Sequence, residues 1–324
     1  MTVRHDRPRL TNPGRATVRP VPLEPPRGAD DLPRYLRALR RLSDADDLSA
    51  AYAGCTLAIE VAGRAGDAAG LVMAYSQRSS VARRSGDLPP AARDAEAAAE
   101  LLALSGAEPG GATAALLLSR RIAVLLDVGD VTHADRLLAA APFPADLPDD
   151  PEFLLLRYVR GRLHGAAGRP GDGLADLYRC GERVAVRRFD HPGVLPWRSA
   201  VAGVLCGLGA GEAAERLVAE EVALTRRHGL ASALGRALRV QGRVLPGAAG
   251  LASAEEAVRV LQGTPRRFEL AAALVDLGEL LQRARRRPQA RRVLRDGLEL
   301  AERCGSPGLA ARARGRVPAP REGS

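Results

Sequence analysis

The sequence predicts an all-α array of stacked antiparallel helix hairpins, and three observations predict it. First, six pairs of small or slim residues stand twelve positions apart: Ser79/Ala91, Ile122/Ala134, Gly161/Gly173, Val201/Ala213, Gly242/Ala254 and Gly278/Ala290. Second, equivalent positions recur at intervals of 43, 39, 40, 41 and 36 residues, a period that belongs to solenoid-type repeats. Third, no window alternates apolar and polar residues cleanly enough to support a strand.

The register has a physical cause. Two helices of a hairpin approach closely, so small side chains are wanted on both facing surfaces. Four residues before each first member stand Tyr75, Leu118, Arg157, Trp197, Leu238 and Leu274. Four after each second member stand Ala95, Leu138, Leu177, Leu217, Val258 and Leu294. These larger residues are expected to fill the groove between successive hairpins.

Taken in order, residues 1–31 hold six prolines among arginines and few large apolar side chains. Such a segment cannot bury enough surface to offset its ordering entropy, so 1–31 is expected to be disordered. The repeat array is expected over 32–314 and a second disordered tail over 315–324. A short helix with Leu32, Leu36 and Leu39 on one face opens the array, followed by a longer one from about Asp46 to Ala65. The turns Ala65-Gly66-Asp67, Ser85-Gly86-Asp87 and Val128-Gly129-Asp130 each combine a glycine that can end one helix with an aspartate that can cap the next. Prolines at 89–90, 142–151, 192–196, 265 and 307 punctuate between apolar-periodic runs.

The 324 residues carry a net charge of +10 with all 48 basic residues arginine, no lysine, and asparagine only at Asn12. This usage looks like that of a GC-rich bacterial genome. The charge is uneven: +4 over residues 1–29 and +8 over 283–316, leaving Asp30 to Gln282 at −2. Cys55, Cys180, Cys206 and Cys304 are widely separated and form no disulfide or metal pattern. The N-terminus lacks an apolar stretch of signal-peptide length. The longest uncharged apolar run, 199–211, is too short to span a bilayer. A cytoplasmic protein without a membrane partner is expected.

The spacing resembles the tetratricopeptide repeat, most closely at Leu274, Leu277, Gly278, Leu281, Ala290 and Leu294. It departs from that pattern in its longer period and in keeping the glycine only at Gly161, Gly242 and Gly278. The resemblance implies a right-handed superhelix, an α-solenoid of antiparallel hairpins whose first helices line a concave face. A narrower resemblance follows Pro196. The runs Pro196-Trp197-Arg198-Ser199, Glu220-Glu221-Val222-Ala223-Leu224, Phe268-Glu269-Leu270-Ala271 and Leu300-Ala301-Glu302-Arg303-Cys304-Gly305 are similar to the repeat region of large LuxR-type, MalT-like bacterial transcription regulators. That family's ATPase needs a Walker lysine, which a lysine-free sequence does not supply. Its helix-turn-helix should begin near Arg316, eight residues before the last residue, Ser324. Neither ATP hydrolysis nor sequence-specific DNA reading is therefore expected. What the resemblance implies is a sensing or scaffold module without cofactor, binding a protein segment or small effector in its concave groove. A stand-alone adaptor for protein partners is the alternative.

Candidate binding residues are few. Arg78, Arg121 and Arg160 each stand one position before the first small residue in three consecutive repeats, where guanidiniums could clamp an acidic ligand or pair with carboxylates of neighbouring helices. Arg285, Arg286, Arg287 and Arg291, with Arg283 and Arg292, crowd the last hairpin's turn, where they could contact phosphates or simply be solvated. No catalytic set assembles. Asp44-Ala45-Asp46-Asp47 begins like a calcium loop but lacks its glycine and glutamate, and Gly207-Leu208-Gly209-Ala210-Gly211 has no preceding strand. His164 falls on a core-facing position, which suits packing better than proton transfer.

Overall fold

A computed structural model describes residues 24–186 and 190–316. Among these residues there are fifteen α-helices and no strand. Seven hairpins follow one another: α1 (Leu32–Asp44) with α2 (Leu48–Ala65), α3 (Ala68–Ser85) with α4 (Leu88–Leu104), and α5 (Ala112–Val128) with α6 (Val131–Ala139). Then come α7 (Leu154–Ala166) with α8 (Pro170–Val186), α9 (Trp197–Gly207) with α10 (Gly211–Arg227), and α11 (Ala231–Val244) with α12 (Gly247–Leu261). The last hairpin pairs α13 (Arg267–Arg283) with α14 (Arg287–Cys304), and α15 (Pro307–Arg314) closes the array. The six register pairs fall on the hairpins from α3/α4 to α13/α14.

The turn chemistry read from the sequence is present in full at Gly66-Asp67 and Gly129-Asp130, whereas Asp87 makes no side-chain capping hydrogen bond. Gly66, Gly86 and Gly129 are left-handed caps. Asp67 accepts from the Gly70 amide at 2.8 Å and Asp130 from that of His133 at 3.0 Å. Each side chain satisfies one of the orphan N–H groups of a helix start. The tails are only partly covered: 1–23 and 317–324, where disorder was expected, lie outside the described residues. Residues 24–31 depart from that expectation, because Ala29–Asp31 forms a 3-10 turn and the Arg27 amide donates to Asp31 at 3.0 Å.

The twelve-residue register works by contact within each hairpin. Ser79 donates its hydroxyl to the Ala91 carbonyl at 2.7 Å. A Cβ on Gly161 would stand 2.8 Å from Leu177 Cγ, and one on Gly278 would stand 2.5 Å from Leu294 Cγ. The leucine sixteen residues on thus occupies the space the glycine leaves empty. Leu177 and Leu294, expected in the groove between hairpins, are wholly buried against the glycine of their own hairpin, and Leu294 packs also with Ala313 of α15. Such burial contributes roughly 1.5–3 kcal/mol per leucine. The second helices are long, as expected, except α6. It has nine residues and gives way to the proline-rich segment before Pro151.

The array does not stay open. The first helices α3, α5, α7, α9, α11 and α13 each touch the next, and α13 touches α3, so the six form a ring. Arg266, just before α13, pairs with Asp46 at 2.7 Å, and Arg267 donates to the Ser85 carbonyl at 2.9 Å. Ser306 donates its hydroxyl to the Asp127 carbonyl at 2.7 Å. Two helix-capping glycines permit this seam. A Cβ on Gly86 would lie 2.6 Å from the Phe268 nitrogen, and one on Gly129 2.7 Å from the Gly308 Cα. Both residues hold left-handed backbones, at φ 79° and 97°, which glycine adopts without steric cost.

Candidate functional site: an arginine-lined chamber inside the ring

The ring encloses a cavity of about 1080 Å³. One stripe of each first helix faces it: Met73, Gln77, Ser80 and Arg84 on α3, Leu116, Arg120, Ala123 and Asp127 on α5, Leu155, Tyr158 and Arg162 on α7. Ala200, Gly203 and Val204 come from α9, Arg236, Arg239 and Arg243 from α11, and Phe268 and Glu269 from α13. The spacing of three or four residues is that of a single helix face. First helices do line the inner face, as the repeat reading expects.

Nine arginines but only four carboxylates line this chamber. Three of those carboxylates are engaged. Asp44 accepts from Arg84 at 2.9 Å, Asp127 from Arg83 at 2.6 Å with Arg162 at 3.5 Å, and Glu269 lies 3.5 Å from Arg239. Burial alone would raise the Glu269 carboxyl, but the guanidiniums of Arg239, Arg236, Arg162 and Arg266 outweigh it and hold the group below its ordinary range. Arg239 also donates to Asp276 at 3.0 Å, and Arg236 donates to the Pro192 carbonyl.

Arg120 is in a different position. Its Nε is buried without a hydrogen-bond partner. Burial, and then the neighbouring Arg83, Arg40 and Arg84 guanidiniums, push its pKa down to about 9 against a weaker pull from Asp44. The Nε atoms of Arg83, Arg236 and Arg239 are likewise shielded and unbonded. The chamber therefore holds cationic donors in excess of its acceptors. Between α7 and α11 in the ring order, α9 contributes only uncharged residues to the wall: Ser199, Ala200, Gly203 and Val204.

The arginines singled out in the sequence lie elsewhere. Arg78 bonds Asp94 through Nε and Nη2, both at 2.8 Å, and stacks between Tyr52 and Tyr75. Arg160 bonds Asp176 at 2.7 and 2.6 Å. Arg121 bonds Glu96 at 2.9 Å. None of the three lines the chamber; they take the carboxylate-pairing alternative and are not brought together. At about 100° per residue, the position before the small residue falls on the far side of the helix from the chamber stripe. A signal was present: Asp94 and Asp176 stand sixteen residues after Arg78 and Arg160, one hairpin contact away.

Arg283, Arg285, Arg286, Arg287, Arg291 and Arg292 are all exposed at the α13–α14 tip. Arg286 reaches Glu255 at 3.3 Å. The aspartates of the false calcium loop have separate jobs: Asp44 holds Arg84, Asp46 holds Arg266 across the seam, and Asp47 caps the Ala50 amide at 3.3 Å. The glycine-rich run 207–211 is the α9–α10 turn. His164 is half-buried 3.8 Å from Asp176, with burial and then Arg169 lowering its pKa. His191 and His228, far apart in sequence, bring their rings to 6.1 Å. Burial pushes the Cys55 and Cys180 thiols up to about 12, which leaves them inert. No helix among the described residues is long and apolar enough to cross a membrane. No protein-family model matches the chain, and no curated protein matches it in sequence.

Proposed function

We propose that this protein is a non-catalytic binding module that holds a small effector inside its ring of first helices. The observation that carries the reading is the chamber itself. Its volume of about 1080 Å³ is that of a pocket for an organic molecule, and its wall mixes apolar side chains with a few buried charged donors. A concave space lined by one stripe of each first helix suits a small effector or a short extended segment better than a folded protein surface. We read the hairpins as tetratricopeptide-like, and the module as the sensing region of a LuxR-type transcription regulator. That last step rests on the residue runs after Pro196 that resemble such regulators. In this reading the effector stabilises the closed ring, and the ring's closure is what a neighbouring domain or partner would sense.

The test uses the one chamber-lining glycine on α9. A Cβ on Gly203 meets nothing within 4 Å, so Gly203→Trp places an indole in the cavity without disturbing a packed contact. Scanning fluorimetry against a panel of small organic metabolites should find compounds that raise the melting temperature of the wild type and not of Gly203→Trp. If every stabilising compound acts equally on both proteins, the chamber is not the site.

A further inference from the structure

We propose that the chamber's occupant is an organic anion, its phosphate, sulfonate or carboxylate head held by Arg120 with Arg40, Arg83 and Arg84, and its apolar body laid along Leu155 and Val204. This assignment rests on the binding-module reading and names the ligand class for that same site.

The head position follows from the accounting of charge. Arg120 is partly exposed to the cavity and sits among Arg83, Arg40 and Arg84; a guanidinium does not give up its proton in a protein, so such a cluster favours an anion between its members. Arg160 and Arg78 show how this chain matches an arginine when the purpose is packing: a planar, two-pronged bond to a carboxylate placed sixteen residues on. Arg120 has no such carboxylate. Its Nε is shielded and unbonded, and the carboxylate whose charge acts on it, Asp44, is already held by Arg84 at 2.9 Å. Arg83 spends Nη1 on Asp127 and keeps its own buried Nε free of any bond. Arg40 is exposed at the cavity edge. Forked donors from separate helices that converge on one cavity fit a multi-oxygen head group. The body position follows from the rest of the wall. Leu155 and Val204 line it from α7 and α9, where an alkyl or aromatic portion would leave water.

Calorimetric titration of the full chain with octyl phosphate, octanol and octylammonium chloride tests the assignment. Octyl phosphate should bind at least tenfold more tightly than octanol, and octylammonium should not bind. Arg120→Met should lower octyl phosphate affinity at least tenfold while leaving the melting temperature unchanged or higher, because it relieves the repulsion from Arg83, Arg40 and Arg84; a merely structural arginine would lower it. Arg40→Gln, at an exposed position, should cost a few-fold in affinity and serves should Arg120→Met not fold. The anion assignment is overturned if both variants bind octyl phosphate like the wild type. It is also overturned if the three probes bind alike and all are lost in Gly203→Trp; that second result would leave the chamber a binding site of another class. Octyl phosphate binding equally to wild type and Gly203→Trp, or no probe binding at all, would sink the anion assignment and the chamber reading together.

Discussion

Arg120 and Arg121 are neighbours in sequence and live in different chemistry. Arg121 turns toward α4 and meets Glu96 at 2.9 Å. Arg120 turns into the chamber, where the charges around it are mostly other guanidiniums. The same split runs through the first helices, with Arg78 and Arg160 matched on the hairpin side and Arg83, Arg236 and Arg239 left with unbonded Nε atoms on the chamber side. On the hairpin side a guanidinium meets a carboxylate two-pronged; on the chamber side nine arginines share four carboxylates, and the proposed binding site is read from that surplus rather than from the number of arginines.

The largest expected effect comes from breaking a matched pair. Asp176 is nearly buried and holds both Arg160, at 2.6 Å, and Arg157, at 3.7 Å. Asp176→Ala should therefore cost roughly 3–5 kcal/mol in urea unfolding. Arg120→Met should cost nothing by the same measurement, and an equal loss from both would erase the contrast between the two regions. The seam comes next. Gly129→Ala adds a methyl 2.7 Å from the Gly308 Cα at a left-handed backbone. A loss of roughly 1–3 kcal/mol is expected, with faster amide exchange confined at first to α15; protection of α15 as in the wild type would show that the seam is slack.

A pH series sharpens the comparison further. Burial would raise the Asp276 carboxyl, but Arg239, Arg312 and Arg243 outweigh it and hold it below its ordinary range. Its contribution to stability is present above the ordinary carboxylate pKa and is lost as the pH falls through the folded value. Glu221 runs the other way. It is wholly buried and accepts from the Ser199 amide at 3.0 Å and hydroxyl at 2.6 Å. Burial raises its pKa against the pull of Arg236 and these bonds, so its contribution is greatest at low pH and is lost as the pH rises through the folded value. In melting curves from pH 3 to 7, Asp276→Asn should flatten the acid-side loss, and Glu221→Gln should remove a component of opposite slope. Identical pH profiles for both variants would mean that neither carboxylate is shifted as the geometry requires. The smallest effect is a gain: Gly203→Ala, in open space within a helix, should stabilise by about 0.5–1 kcal/mol.

Much of this could be read from spacing. The Gly161–Leu177 and Gly278–Leu294 contacts are intrahairpin and short-range, so a twelve- or sixteen-residue register records them directly. The Gly-Asp turns are more local still, because a left-handed cap and a capping carboxylate need only a few residues to act. Arg78 and Arg160 form a pattern that fits both a clamp and a carboxylate pair, and Asp94 and Asp176 beside them decide for the pair. Arg120 carried no pattern of its own. It looks like one arginine among 48, and its distinction is a partner that is missing in space.

The sequence by itself determined the hairpins and their turns, because these depend on contacts between residues a few turns apart. Only the tertiary structure decided that the array closes. The closing contacts join Asp46 to Arg266, 220 residues away, and Asp127 to Ser306, 179 residues away, and no periodicity encodes a meeting of residues that share no repeat unit. Closure in turn creates the chamber and the excess of guanidiniums within it. An open groove would leave those arginines fully solvated, where high dielectric makes a missing partner cheap; the chamber gathers them around a confined space of about 1080 Å³.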